Sequence, residues 1–215
     1  MGNSAHRGVL LVGLPQPVSL TLEGRDVSLV PLAIDHADDL LVAANQDRGS
    51  YGFTFVPHDL STTLSYLEGL LRDQQSGETV PFAQIDNASG HAVGVTRYLT
   101  IRCEDHRPTP YAVEIGGTWL GASAQRTAIN TQAKLLLLDF AFGEWGVVRV
   151  DLKSDVRNKK SRAGIERIGA QFEGVLRNWQ RSQVAGEEEG YRETVMYSII
   201  AAEWPEVRTL LKNRL

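Results

Sequence analysis

The sequence predicts a mixed α/β (α+β) fold built on a mainly antiparallel sheet. Three features carry that expectation. β-rich segments follow one another between residues 80 and 120 with short turns between them. One helix-length stretch is apolar almost all round, and a further β-rich segment comes straight after it. Helical segments come early, strands in the middle and a single strand–helix–strand unit late. A doubly wound nucleotide fold needs regular alternation and is excluded.

In chain order, residues 1–17 carry Gly2, Gly8, Gly13, Pro15 and Pro17 without a sustained period and are expected to form a flexible arm, leaving 18–215 as one domain. Val27 to Leu32 reads as a strand. Asp35 is placed to cap a helix presenting Ala37, Leu40, Leu41 and Ala44 on one face. Tyr51 to Pro57 is aromatic and irregular. Ser61 is placed to cap a second helix, with Leu64, Leu67, Leu70 and Leu71 at helical spacing and Gly77 where it would stop. Val80 to Asp86, Ala92 to Ile101 and Tyr111 to Leu120 form an antiparallel meander. Ala128 to about Trp145 is the buried helix, ended by Gly146. Val147 to Leu152 then returns beside the preceding strand through a right-handed crossover. A helix from about Lys159 to Ile168 stops at Gly169. Phe172 to Arg181 and Tyr191 to Ile200 make a hairpin around Gly186 to Gly190, and a short helix starts at Glu203.

At 215 residues, 42% of them apolar, the chain can bury a core without staples. Cys103 stands alone, cannot form an intrachain bridge, and points to a reducing, cytoplasmic setting. Lys and Arg number 22 against 26 Asp and Glu, a net charge of −4 that argues against nucleic acid and favours a cationic partner. No apolar run reaches the roughly 20 residues that cross a bilayer, so no membrane association is expected. His6, His36, His58, His91 and His106 include no pair at metal-ligand spacing, so no metal is expected.

Two constellations could carry chemistry. The first runs from Glu114 to Lys134, a strand, a loop and the start of the buried helix. Such a loop aims unsatisfied backbone N–H groups and the positive end of a helix dipole at one point, an anion site that would suit a pyrophosphate. Arg126 would add charge, and Thr127, Asn130 and Thr131 would add donors. Within it, Gln125-Arg126-Thr127-Ala128-Ile129-Asn130 resembles the Gln/Arg-x-x-Gly-x-Gly/Ala loop of the GNAT superfamily of acetyl-CoA-dependent N-acetyltransferases. Ala128 replaces the usual glycine and Asn130 the final Gly/Ala, so the backbone would meet a phosphate past a Cβ. The second constellation, Asp155 to Ala170, is similar to the Asn-x-x-Ser…Leu-Gly-Phe signature of the branch that includes RimJ/RimL-like protein N-terminal acetyltransferases. Asn158, Ser161 and Gly169 match, and Ala170 stands where Phe is usual. From the residues alone, Asn158 caps the helix and Ser161 sits in its first turn.

The resemblance covers roughly Val27 to Ile200. It implies a GNAT fold: a mainly antiparallel mixed sheet of about seven strands, flanking helices and a splayed central strand pair, here Glu114 to Leu120 and Val147 to Lys153. It also implies acetyl-CoA as co-substrate, its pantetheine arm lying in the V against Trp119 and Leu120. Gly116-Gly117 is where a β-bulge could turn N–H groups toward a thioester carbonyl. The implied cofactor site is completed by Gln125, Arg126, Thr127, Ala128, Ile129, Asn130, Thr131, Asn158 and Ser161.

The implied reaction is direct attack of an amine on the thioester. Glu114, on the central strand, is the candidate base, acting directly or through a water. Ile165 stands where many members carry a Tyr acid, leaving Ser161 as the nearest hydroxyl; in RimJ/RimL-like proteins a serine here is thought to hydrogen-bond the CoA sulfur. Tyr51, Phe53 and His58 fall in the segment that walls the acceptor pocket. Lys159, Lys160 and Arg162 are candidates for the adenosine 3′-phosphate, and Glu187 to Glu189 reads as a charged hairpin tip. The acceptor is expected to be a protein N-terminal α-amine or a small amine, and the protein a monomer or homodimer. The alternative is a non-catalytic acyl-CoA-binding or regulatory protein on the same fold.

Overall fold

The first strands form where apolar residues alternate: β1 (Leu22–Glu23) and β2 (Val27–Pro31) pair antiparallel, with Val27 and Leu29 fully buried. The structure, a computed structural model, describes residues 20–187 and 189–215. The expected arm over 1–17 and Glu188 of the acidic turn lie outside those residues. Two helices follow, α1 (Ala37–Ala44) and α2 (Leu60–Gln75). Next come β3 (Thr79–Asp86), β4 (Ala92–Arg102), β5 (Ala112–Leu120), the long α3 (Ala128–Gly143), β6 (Arg149–Asp155) and α4 (Lys159–Arg167). The hairpin β7 (Gln171–Arg181) and β8 (Tyr191–Ile200) precedes α5 (Trp204–Lys212).

Among the described residues the strands make one eight-stranded sheet, order β1-β2-β3-β4-β5-β6-β8-β7, antiparallel except for β5 and β6. This is the expected GNAT arrangement with eight strands rather than about seven, because two-residue β1 carries too little pattern to be read in advance. The meander, the crossover and the late hairpin stand where the sequence places them.

Two layers of apolar side chains cover the sheet. On one face α3 packs through Ile129, Ala133, Leu137, Leu138 and Ala141 over Phe82, Tyr98, Val113, Ile115 and Val150, with α5 adding Val207 and Leu211. On the other, α1 and α2 bury Leu40, Ala43, Leu67 and Leu70 against Ala83, Val95 and Trp119. The second layer spans only the first part of the sheet.

Three local expectations are corrected. Asp59, not Ser61, caps α2: its side chain accepts from Thr62 N at 2.7 Å, and starting the helix two residues earlier leaves Ser61 in the exposed first turn. Asp35 caps nothing, since a 3₁₀ turn (Ile34–His36) intervenes, closed by Ala33 N donating to His36 Nδ1 at 3.1 Å. The buried stripe of α1 is Ala37, Leu40, Ala43 and Ala44, with Leu41 half-covered.

Candidate active site

The parallel pairing of β5 with β6 lasts for three residue pairs, Ala112 with Arg149, Val113 with Val150 and Glu114 with Asp151. Beyond Glu114 the two strands run on unpaired with each other, β5 to Leu120 and β6 to Asp155, so a slot opens in the middle of the sheet. The cause lies in β5. Opposite it the register slips between Val95 and Arg97, and Gly117 adopts φ +57°, a left-handed conformation that glycine takes without a steric cost. A Cβ placed on Gly117 would stand 2.5 Å from Arg97 Nε, and one on Gly116 would stand 3.1 Å from Glu114 Oε1. The glycine pair therefore makes the bulge and admits two charged side chains close to the backbone.

α3 begins at one side of this slot. Thr127 caps it, accepting from Ile129 N at 3.3 Å and donating to Ala124 O at 2.7 Å. Among the described residues the other N–H groups of the first turn have no side-chain partner, which leaves the positive end of a sixteen-residue helix open to an anion. Ala128 is helical, so the alanine in the glycine position costs the backbone nothing. The left-handed residue is Arg126, φ +62°, with its side chain exposed. Asn130 and Thr131 are half-buried in the first turn. Gln125 donates from Nε2 to Leu120 O at 2.8 Å and to Ser50 Oγ at 3.1 Å, and accepts from Lys160 Nζ at 2.7 Å. Lys160 thereby ties the start of α4 to the loop before α3. Asn158 caps α4 by accepting from Ser161 N at 3.0 Å, while the half-buried Ser161 hydroxyl makes no hydrogen bond to a described residue.

The side chains of Trp119 and Leu120 lie in the two core layers, Trp119 4% exposed and against Tyr51 edge to face. Their backbone, not their side chains, borders the slot. The acceptor-side residues divide. Tyr51 is structural: its hydroxyl donates to Leu120 O at 3.0 Å. Phe53 is half-buried under the Arg157 guanidinium, 5.3 Å from its ring centre. His58 is exposed, beside Asp59 at 3.2 Å. Arg162 donates to Val156 O at 3.0 Å and to the Tyr197 hydroxyl at 3.2 Å.

On the face opposite α3, Glu114 is 3% exposed. Its Oε2 accepts from Lys153 Nζ at 3.1 Å and from Thr100 Oγ1 at 3.0 Å, while its Oε1 is buried without a hydrogen-bond partner. Asp155, two residues beyond Lys153, accepts from Arg157 at 2.9 and 3.0 Å. Burial opposes its ionisation, and the Arg157 hydrogen bonds outweigh burial and hold the carboxyl below the usual range. Arg157 also forks onto Glu187 through two 2.9 Å bonds, so Glu187 is a fixed member of this network rather than a hairpin tip.

Sequence reasoning passed over Lys134. It sits on the sheet side of α3, 6% exposed, its Nζ 2.8 Å from Thr118 Oγ1 and 3.4 Å from Thr96 Oγ1. Burial without a carboxylate partner pulls its ammonium down to about 7. The signal available beforehand was a lysine inside an otherwise apolar run, Ala133-Lys134-Leu135.

No curated protein matches the sequence. The model of the acetyltransferase (GNAT) domain family matches residues 26–171. Among solved structures, a GCN5-related N-acetyltransferase from Brucella melitensis superposes with a TM-score of 0.78 at 28% identity, over 93% of this chain and 86% of that one. A putative acetyltransferase from T. thermophilus does so at 0.75 and 32% identity, over 91% and 96%. Mycobacterium smegmatis RimJ, in complex with CoA-disulfide, shares the fold at 0.74 and 21% identity, over 92% and 96%. The slot between β5 and β6, the open start of α3 and these likenesses agree: the chain belongs to the acetyltransferase (GNAT) domain family and is an N-acetyltransferase.

Proposed function

We propose that the protein transfers the acetyl group of acetyl-CoA directly to a primary amine, a protein N-terminal α-amine or a small amine as in the RimJ/RimL-like branch. Acetyl-CoA supplies an acyl thioester that an amine can open without a covalent enzyme intermediate. The observation that carries the proposal is the slot: pairing of β5 and β6 ends at Glu114, beside a glycine bulge and the start of α3, whose first-turn N–H groups other than that of Ile129 have no side-chain partner among the described residues. These residues fit the co-substrate. The first turn of α3 with Arg126, Thr127, Asn130 and Thr131 would hold the diphosphate. The unpaired edge of β5 at Trp119 and Leu120 would hold the arm. Asn158 orients the first turn of α4, whose Ser161 hydroxyl is unengaged.

Each residue then has a task. As the N–C bond forms and the C–S bond breaks, the amine gives up a proton and the sulfur gains one. Glu114 would receive the first through Oε1, whose lone pairs have no partner. Ser161 would hydrogen-bond the departing sulfur, and the Gly116-Gly117 bulge would turn N–H groups to the carbonyl oxygen. Such a protein would act in the cytoplasm. Among the described residues no helix is long and apolar enough to cross a membrane.

Calorimetric titration with CoA, followed by thiol release against a panel of amines, tests the proposal. CoA should bind, and at least one amine should release thiol. Ser161→Ala should lower turnover roughly tenfold, the worth of about one hydrogen bond, and change CoA affinity much less. Equal losses in both would remove Ser161 from the chemistry, and a chain that binds CoA without turnover would be a binding protein.

A further inference from the structure

The acceptor face holds charged groups that the acetyl-transfer scheme leaves unused. Strand register puts them together. Arg97 on β4 stands opposite Gly116, Glu114 opposite Asp151, and Asp155 on β6 opposite Thr194 on β8; Arg192, two residues before Thr194, shares its side of the sheet. Arg97, Glu114, Lys153, Asp155 and Arg192 thus project from one face. Arg192 is only 8% exposed, yet its sole hydrogen bond to a described residue is from Nε to Thr194 Oγ1 at 3.2 Å, and it lies within the fields of Asp155 and Glu114. Arg97 Nε is likewise buried with no hydrogen-bond partner. Around them, Lys153 is taken by Glu114, and Arg157 by Asp155 and Glu187.

A buried guanidinium nitrogen without an acceptor, here Arg97 Nε, and a buried carboxylate oxygen without a donor, here Glu114 Oε1, are both costly to maintain in a folded chain. They lie against neighbouring glycines, Arg97 Nε at Gly117 and Glu114 Oε1 at Gly116, with opposite signs. Among these described residues, four cations, Arg97, Lys153, Arg157 and Arg192, face three anions, Glu114, Asp155 and Glu187, an excess of one positive charge on a chain whose net charge is −4.

We propose that the acceptor is a zwitterion: its amine docks on Glu114 Oε1, and a carboxylate or phosphate a few bonds away docks on the guanidinium groups of Arg192 and Arg97, neither of which is ion-paired to a described residue. The proposal rests on the assignment of Glu114 to the amine. It adds an anion to the cationic acceptor that overall acidity favours. Guanidinium suits this task because its planar fork matches a carboxylate or phosphate. A free amino acid and a polypeptide N-terminus with an acidic second residue present the same chemistry.

Matched pairs of amines differing only in the anion decide the matter: β-alanine against β-alaninamide, phosphoethanolamine against ethanolamine, and amidated tripeptides Ala-Glu-Ala against Ala-Gln-Ala. Each is titrated into the full chain saturated with CoA, and each is assayed for thiol release with acetyl-CoA. The anionic member should bind roughly tenfold or more tightly, the size expected of a charge-assisted hydrogen bond. The small-molecule and peptide arms identify the source of the anion. Arg192→Gln and, separately, Arg97→Gln should bring the ratio toward one, and Arg192→Lys should keep part of it. CoA titration of each variant verifies that it is folded, and the second arginine serves if the first variant is not. Equal binding within every pair, or a ratio unmoved by both variants, overturns the proposal. Binding preference without thiol release would uphold it while refuting the catalytic assignment of Glu114.

Discussion

Lys134 has the most to say at the scale of single residues. Its folded-state pKa, about 7, lies far below the 10.5 of an exposed lysine. Between those values the unfolded chain binds a proton that the folded chain does not, so this residue makes stability rise with pH from about 7 to about 10.5; below 7 both forms are protonated and the dependence vanishes. Replacing it with methionine, Lys134→Met, should raise the melting temperature at pH 6 to 7 by several degrees, of the order of a few kcal/mol of relieved burial, and should flatten the alkaline rise. Thermal melts from pH 6 to 10 check both. Asp59→Ala should lower the urea midpoint through loss of the α2 cap, whereas Ser61→Ala should leave it close to unchanged. The error over Ser61 has a plain origin. Asp59 and Ser61 are both good caps two residues apart, and only the bond to Thr62 N separates them.

Elements explain why the site assembles. Gly117 holds a left-handed backbone and leaves room for Arg97, so Gly117→Ala adds both a conformational cost and a collision. The expected loss is about 1–3 kcal/mol of stability, accompanied by lower turnover because the bulge borders the slot. Chemical denaturation and thiol release measure the two. The strands, the crossover and the Gly116-Gly117 bulge were legible because alternation and glycine pairs act through local sterics. The charged network of Lys153, Arg157, Arg192 and Glu187 was not. Each of these residues reads singly as a solvated strand or turn position; register between β6 and β8 puts Lys153 and Arg192 on one face, and Arg157 and Glu187 join through ion pairs that begin at Asp155. Likewise, the loop before α3 drew attention to Ala128, where helical geometry tolerates a Cβ, while the left-handed residue is its neighbour Arg126.

At the scale of the molecule, two apolar layers of unequal extent flank one sheet, and the shorter layer ends at Trp119 on β5, short of β6, β7 and β8. If CoA binds only the folded chain, at a hundred times its Kd it should add about 2.7 kcal/mol, a rise of roughly 5–10 °C for a protein of this length. A melt with and without CoA measures it. Pairing between β5 and β6 stops inside the sheet, with α3 on one side and Glu114 turned to the other. On the proposed reading, the two reactants would come by opposite doors and meet inside a wall one strand thick. Cys103, the chain's sole thiol, lies just past the end of β4, and the proposed direct transfer would not use it. Double-reciprocal plots of initial velocity should intersect, the mark of both reactants being aboard at once, and parallel lines would betray a stopover on the protein.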